Sequence, residues 1–143
     1  AESCTGGLLG AQLTSVPGSS DVFLGGIIAY QNRIKQTLLR VEAQTLSQYG
    51  AVSPETACQM AKGILQVMNS TWGIGVTGIA GPGGGSEEKP VGTVCIALAK
   101  ETGEVHSFQI KLFGSRDTIR LRSCVFALDW LRRKLLLLPL HYG

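Results

Sequence analysis

The chain has 143 residues, a formal net charge of +3, and 16% charged against 44% hydrophobic residues. That length suits one domain, residues 1–143, and a charged share below the roughly 25% of an ordinary soluble domain points to extra buried surface, within a layered fold or against a second copy. Aromatics at 6%, with a basic excess concentrated late in Arg116, Arg120, Arg122, Arg132, Arg133 and Lys134, argue against a nucleic-acid partner, and the apolar run at 135–138 is too short to cross a membrane.

In chain order, Leu8, Leu9, Leu13 and Val16 form a short helical stripe that Pro17-Gly18 stops. Residues 22–30 read as a strand, with Gly25-Gly26 as a bulge or a point of close approach. Residues 34–39 are a short helical run that carries Lys35. The next helix is the best marked, with Ser53 as N-cap, Pro54 at the first helical position, Glu55 in the first turn, and Ala57, Met60, Ala61, Ile64, Leu65 and Met68 at helical spacing.

Residues 74–76 are a short buried strand. Residues 91–99 and 105–112 flank the turn Glu101-Thr102-Gly103 and form an antiparallel hairpin. Gly114-Ser115 then starts a long helix through Ile119, Val125, Phe126, Leu128, Trp130, Leu131 and Leu135, which Pro139 ends. Helices between strands, together with a hairpin, predict an α/β protein: a three-layer α/β/α sandwich with a mixed sheet.

Two turns carry residues suited to chemistry. After the short strand comes Thr77-Gly78-Ile79-Ala80-Gly81-Pro82-Gly83-Gly84-Gly85-Ser86, so rich in glycine that backbone N–H groups can approach a small ligand unobstructed. It is not a P-loop, since Lys89 is followed by Pro90, and it is not a dinucleotide fingerprint, since Pro90-Val91-Gly92 leads into a strand rather than a helix. The alternative is a flexible connection whose glycines permit tight turns.

The other turn, Glu2-Ser3-Cys4-Thr5-Gly6-Gly7, stands just ahead of the first helical stripe. Ser3 is either a nucleophile, with the following N–H groups at a helix N-terminus to hold an oxyanion, or an ordinary N-cap. A nucleophile needs a base, yet His106 falls in a strand and His141 in the tail. Lys35 and Tyr30 remain, each with a reference pKa of about 10 that burial or a neighbouring cation must lower. Their alternative is a solvated lysine and a strand-end tyrosine. Arg116 either joins the first turn of the last helix in holding a phosphate or is a plain surface arginine. Cys4, Cys58, Cys95 and Cys124 are far apart, without a C-x-x-C pair or a nearby histidine at ligand spacing, and read as reduced thiols packed as small hydrophobes in a cytoplasmic protein.

Six segments together go further: Glu2-Ser3-Cys4-Thr5-Gly6-Gly7, Val16-Pro17-Gly18-Ser19-Ser20, Gly25-Gly26 through Tyr30 to Lys35, Gly50-Ala51-Val52-Ser53, Val76-Thr77-Gly78-Ile79-Ala80-Gly81-Pro82 and Lys89-Pro90-Val91-Gly92-Thr93-Val94. In this order, over nearly the whole chain, they resemble the CinA C-terminal domain family. The resemblance implies a nicotinamide mononucleotide deamidase, which hydrolyses the carboxamide to nicotinic acid mononucleotide and ammonia. It implies a catalytic serine at Ser3, tyrosine at Tyr30 and lysine at Lys35, a ligand-contacting threonine at Thr77 and an arginine for the phosphate at Arg116. Thr5, Gly6, Gly7, Gly78 and Gly81 complete the expected substrate-binding set. Two positions depart from the family pattern: Ser115 stands where an acidic residue is frequent, and Arg40 where a Leu-Gly-Val run has its glycine.

The mechanism so implied has Lys35, helped by Tyr30, take the Ser3 proton, and N–H groups after Ser3 hold the oxyanion. Ammonia leaves with a proton from the same pair, and water then cleaves the acyl-enzyme. Neither metal nor cofactor is implied, and the expected partners are a small nucleotide substrate and further copies of the chain. Because Ala1 opens the chain within a motif and without methionine, an upstream segment is expected. Two other readings compete: a non-enzymatic nucleotide-binding or regulatory module of the same fold, and a structural oligomerisation domain, which the low charge favours and the glycine loop disfavours.

Overall fold

The computed structural model describes residues 1–139, and His141 lies outside the described residues. Along the chain come α1 (Leu8–Thr14), a 3-10 turn (Ser19–Asp21), α2 (Asn32–Leu39), α3 (Ala43–Tyr49), α4 (Pro54–Met68), β1 (Trp72–Gly78), β2 (Thr93–Lys100), β3 (Val105–Lys111) and α5 (Arg116–Leu135). The strands pair in the order β1-β2-β3, antiparallel throughout, with Thr77 opposite Cys95 and Ile96 opposite Phe108.

Parallel pairing enters at the β1 edge, where Glu2 bridges Val76 on one side and Ile28 on the other. Ser3 N–H donates to the Val76 carbonyl at 2.9 Å, Val76 N–H to Ala1 at 3.0 Å, Glu2 N–H to Ile27 at 2.9 Å and Ala29 N–H to Glu2 at 2.7 Å. The sheet is therefore mixed, and the first residues are threaded between β1 and residues 27–29.

Alternation along β2 is one of size rather than polarity, because both of its faces are buried. Cys95, Ala97 and Ala99 meet Ala57 and Ala61 of α4. Gly73 and Gly75 of β1 extend this small-residue face: a Cβ there would lie 2.3 Å from the carbonyl oxygens of Ala61 and Ala57 respectively. Val94, Ile96 and Leu98 join Val76 on the other face, closed by Ile119, Cys124, Ala127 and Trp130 of α5 and Leu9 of α1. Trp130 and Phe108 meet edge to face, with ring centroids 4.6 Å apart. Leu39 of α2 packs with Met60 and Ile64 of α4. Helices thus cover both faces of the sheet, giving the three α/β/α layers.

Capping follows the sequence at two helices. Ser53 Oγ accepts from Thr56 N–H at 3.1 Å with Pro54 at the first helical turn of α4, and Ser115 Oγ accepts from Thr118 N–H at 3.3 Å at the start of α5. Two features differ from the sequence reading. Residues 22–30 form no strand: Gly25 sits at φ +148°, and the backbone is bridged only at Ile28, whose partner is Glu2. Helix α3 is added; no side chain caps it and Thr45 is its buried residue, so its stretch carries no clear helical stripe.

All four cysteines are free, and three are buried. Burial pushes the Cys4 thiol up to about 11 and those of Cys95 and Cys124 up to about 12. Among the described residues no helix is long and apolar enough to cross a membrane.

Candidate active site

A cavity of about 210 Å³ opens where the first residues, α2, the turn before α4, the end of β1 and the start of α5 converge. Ser3, Cys4, Tyr30, Lys35, Thr77, Gly78 and Arg116 line it, with Ala51, Val52 and Ala80 as its apolar part.

Lys35 is 1% exposed, although α2 is otherwise polar on its outer face. Its Nζ donates to the Ala29 carbonyl at 2.8 Å and the Tyr30 carbonyl at 3.1 Å, and lies 3.1 Å from Ser3 Oγ. No carboxylate pairs with it among the described residues. Burial without a counter-charge lowers its pKa below the ordinary lysine value, against a smaller raising influence from the Cys4 thiol. In its neutral form the amine can give two N–H bonds to these carbonyls and turn its lone pair to the Ser3 hydroxyl. Such an arrangement is the one a serine nucleophile needs beside a lysine base.

Ser3 does not cap α1. Glu2 does: its carboxylate, 6% exposed, accepts from Gly7 and Leu9 N–H at 3.0 Å through Oε2 and from Gly10 N–H at 2.9 Å through Oε1. The helix N-terminus expected to favour an oxyanion is thus already occupied by an anion. Gly6 and Gly7 adopt φ of +58° and +98° to make the turn between Ser3 and α1, which is why glycine stands there.

Arg116, in the first turn of α5, also lines the cavity and is held by two bonds. Nη1 donates to the Gly81 carbonyl at 2.6 Å and Nη2 to the Tyr30 hydroxyl at 3.1 Å. The Tyr30–Lys35 contact anticipated from the sequence is made by the backbone carbonyl of Tyr30, while its phenol goes to Arg116. Thr77 Oγ1 donates to the Ala51 carbonyl at 2.7 Å, fixing the wall formed by Ala51 and Val52. That turn is itself tied to α4, because Thr56 Oγ1 donates to the Gly50 carbonyl at 2.7 Å.

Of the ten expected site residues, Ser3, Tyr30, Lys35, Thr77, Gly78 and Arg116 are brought together around the cavity. Thr5, Gly6, Gly7 and Gly81 are not among its lining residues. Thr5 is fully buried, its Oγ1 without a hydrogen-bond partner among the described residues and its carbonyl bonded by Arg120 Nη2 at 3.0 Å. Gly83 to Ser86 of the glycine loop are exposed and away from the lining. His106 pairs with Glu104 on the surface at β3. Sequence reasoning missed Glu2, Cys4, Ala51, Val52 and Ala80; only Glu2 carried a usable signal, an acid just before a turn that leads into a helix.

The model of the CinA C-terminal domain matches residues 1–135. A CinA-like protein of Gloeothece citriformis is 56% identical over 96% of this chain, and one of Acaryochloris marina is 56% identical over 95%. The chain spans about a third of the length of these curated relatives. Among solved structures, the competence/damage inducible protein CihA from Agrobacterium tumefaciens is 45% identical with a TM-score of 0.88, covering 92% of this chain and 80% of that one. The competence damage-inducible protein A (ComA) from Klebsiella pneumoniae is 32% identical with a TM-score of 0.90, covering 99% and 85%. The chain belongs to the CinA C-terminal domain family.

Proposed function

We propose that the chain is a serine amidohydrolase acting on the carboxamide of nicotinamide mononucleotide. The observation that carries this reading is the buried Lys35 Nζ at 3.1 Å from Ser3 Oγ, in a cavity that Arg116 also lines. Neutral Lys35 takes the Ser3 proton as Oγ bonds to the carboxamide carbon, and the carbonyl π electrons move to oxygen. Backbone N–H groups after Ser3 receive that oxyanion. Its collapse breaks the C–N bond, and Lys35 returns the proton so that ammonia leaves. Water, deprotonated by Lys35, then attacks the acyl carbon, and Ser3 Oγ departs with the proton. A neutral lysine suits a substrate whose pyridinium ring is cationic, and Arg116 suits its phosphate. Tyr30 contributes by holding Arg116.

The test is ammonia release from nicotinamide mononucleotide by the purified protein, with thermal stabilisation by the same compound measured in parallel. Ammonia released stoichiometrically with nicotinic acid mononucleotide is the expected result. Stabilisation without turnover makes the protein a nucleotide-binding module, and neither response removes this substrate.

A further inference from the structure

We propose that Glu2 is a positioning residue for this reaction: its buried carboxylate fixes the turn after Ser3 so that the N–H of Cys4 is the backbone donor left at the cavity to receive the oxyanion. The inference rests on the hydrolytic reading above. Glu2 N–H is used by Ile27 and Ser3 N–H by Val76; Gly6 N–H bonds to Ser3 and Leu8 N–H to Thr5. Gly7, Leu9 and Gly10 N–H all go to the Glu2 carboxylate. From residue 2 to residue 10, only Cys4 and Thr5 N–H donate to no other residue among those described. Of the two, Thr5 is fully buried behind the turn, whereas Cys4 follows Ser3 directly and lines the cavity.

Glu2 is well placed to impose this. Its backbone is clamped between Val76 and Ile28, so the carboxylate projects from a sheet position rather than a loose loop. No lysine or arginine pairs with it among the described residues, and the three N–H bonds are its hydrogen-bond partners. A carboxylate supplies acceptors on both oxygens, whereas the amide of glutamine would set its NH2 against at least one of these N–H groups. Glu2→Gln therefore keeps the shape of the side chain and breaks the turn's hydrogen-bond pattern.

The experiment compares the wild-type protein with Glu2→Gln in two assays: ammonia release from nicotinamide mononucleotide, and phosphonylation of Ser3 by a fluorophosphonate, whose phosphoryl oxygen needs the same N–H. Per phosphonylated active site, kcat should fall about 10–100-fold, short of or near the loss from removing one oxyanion donor outright. KM should stay within about threefold, as for an interaction made only in the transition state. Phosphonylation should slow in parallel, and the pH profile should keep its wild-type midpoint because Lys35 is untouched. A Glu2→Gln protein with a lower melting temperature but an unchanged kcat per active site and unchanged phosphonylation overturns the proposal. Should Glu2→Gln fail to fold, Glu2→Asp, with its carboxylate drawn back by one methylene, is measured under the same criteria. Wild-type protein that is phosphonylated at Ser3 yet releases no ammonia contradicts the substrate assignment alone, and the phosphonylation rates still decide the role of Glu2.

Discussion

Lys35 Nζ lies 3.1 Å from Ser3 Oγ while the carbonyls of Ala29 and Tyr30 hold it from the other side. The pair sits where solvent cannot stabilise an ammonium, so the amine is a base at lower pH than a free lysine. A lysine base acts when neutral, so on the proposed mechanism kcat/KM should rise with pH along one limb. Its midpoint should lie below the ordinary value of about 10.4, because burial lowers the Lys35 pKa. Lys35→Ala should lower kcat about 100-fold or more and abolish this limb. A change confined to KM would make Lys35 a binding residue.

The same burial links Lys35 to stability. Between its lowered pKa and the ordinary lysine value the unfolded chain binds more protons than the folded one, so this contribution to stability rises with pH through that window. Denaturant unfolding at several pH values, for wild type and Lys35→Met, measures it. The difference between the two proteins should change across that window, and a constant difference would show that Lys35 is not titrating there.

Arg116 is held in place by the Gly81 carbonyl and the Tyr30 hydroxyl. Arg116→Ala should reduce kcat/KM on nicotinamide mononucleotide about 10–100-fold, the scale of one charge-assisted hydrogen bond of roughly 1.5–3 kcal/mol. The effect on free nicotinamide, which has no phosphate, should be much smaller. Tyr30→Phe removes one anchor and should show the same selectivity at lower magnitude. An equal loss on both substrates would give Arg116 a structural role.

Three glycine-related substitutions test the fold. Arg40 ends α2 at φ +56°, in the left-handed region where glycine is favoured. Arg40→Gly should raise stability by about 0.5–1 kcal/mol, the net of relieved strain and lost chain stiffness. Gly75→Ala should cost about 1–3 kcal/mol, since its Cβ would lie 2.3 Å from the Ala57 carbonyl oxygen. Gly83→Ala, with nothing within 4 Å of its Cβ, should stay within about 0.5 kcal/mol and leave kcat/KM unchanged. Thermal melts read all three, and a Gly75→Ala protein as stable as wild type would contradict the close approach of α4 to β1.

What the sequence revealed depended on how local the cause is. Ser53-Pro54-Glu55 and Ser115 mark helix starts because a cap and the N–H it satisfies lie within one turn. The hairpin at Glu101 to Gly103 is local in the same way. Residues 22–30 have strand-like apolar residues, but a strand needs a partner along its length, and Glu2 offers one bridge. Glu2 itself reaches N–H groups five to eight residues downstream, a span set by the Gly6–Gly7 turn rather than by any helical period. Ala51 and Val52 enter the cavity through Thr77, 26 positions from Ala51, and their side chains carry no chemistry to announce it. The glycine run misled in part: Gly81 matters through its carbonyl on Arg116, while Gly83 to Ser86 face solvent.

Ser3→Ala tests the central claim most directly, with ammonia release and calorimetric binding of nicotinamide mononucleotide measured on the same preparation. Removal of Oγ takes away the attacking atom and leaves Lys35, Thr77 and Arg116 in place, so turnover should be lost while the dissociation constant changes by no more than a few fold. A Ser3→Ala protein that retains wild-type turnover would contradict the covalent mechanism.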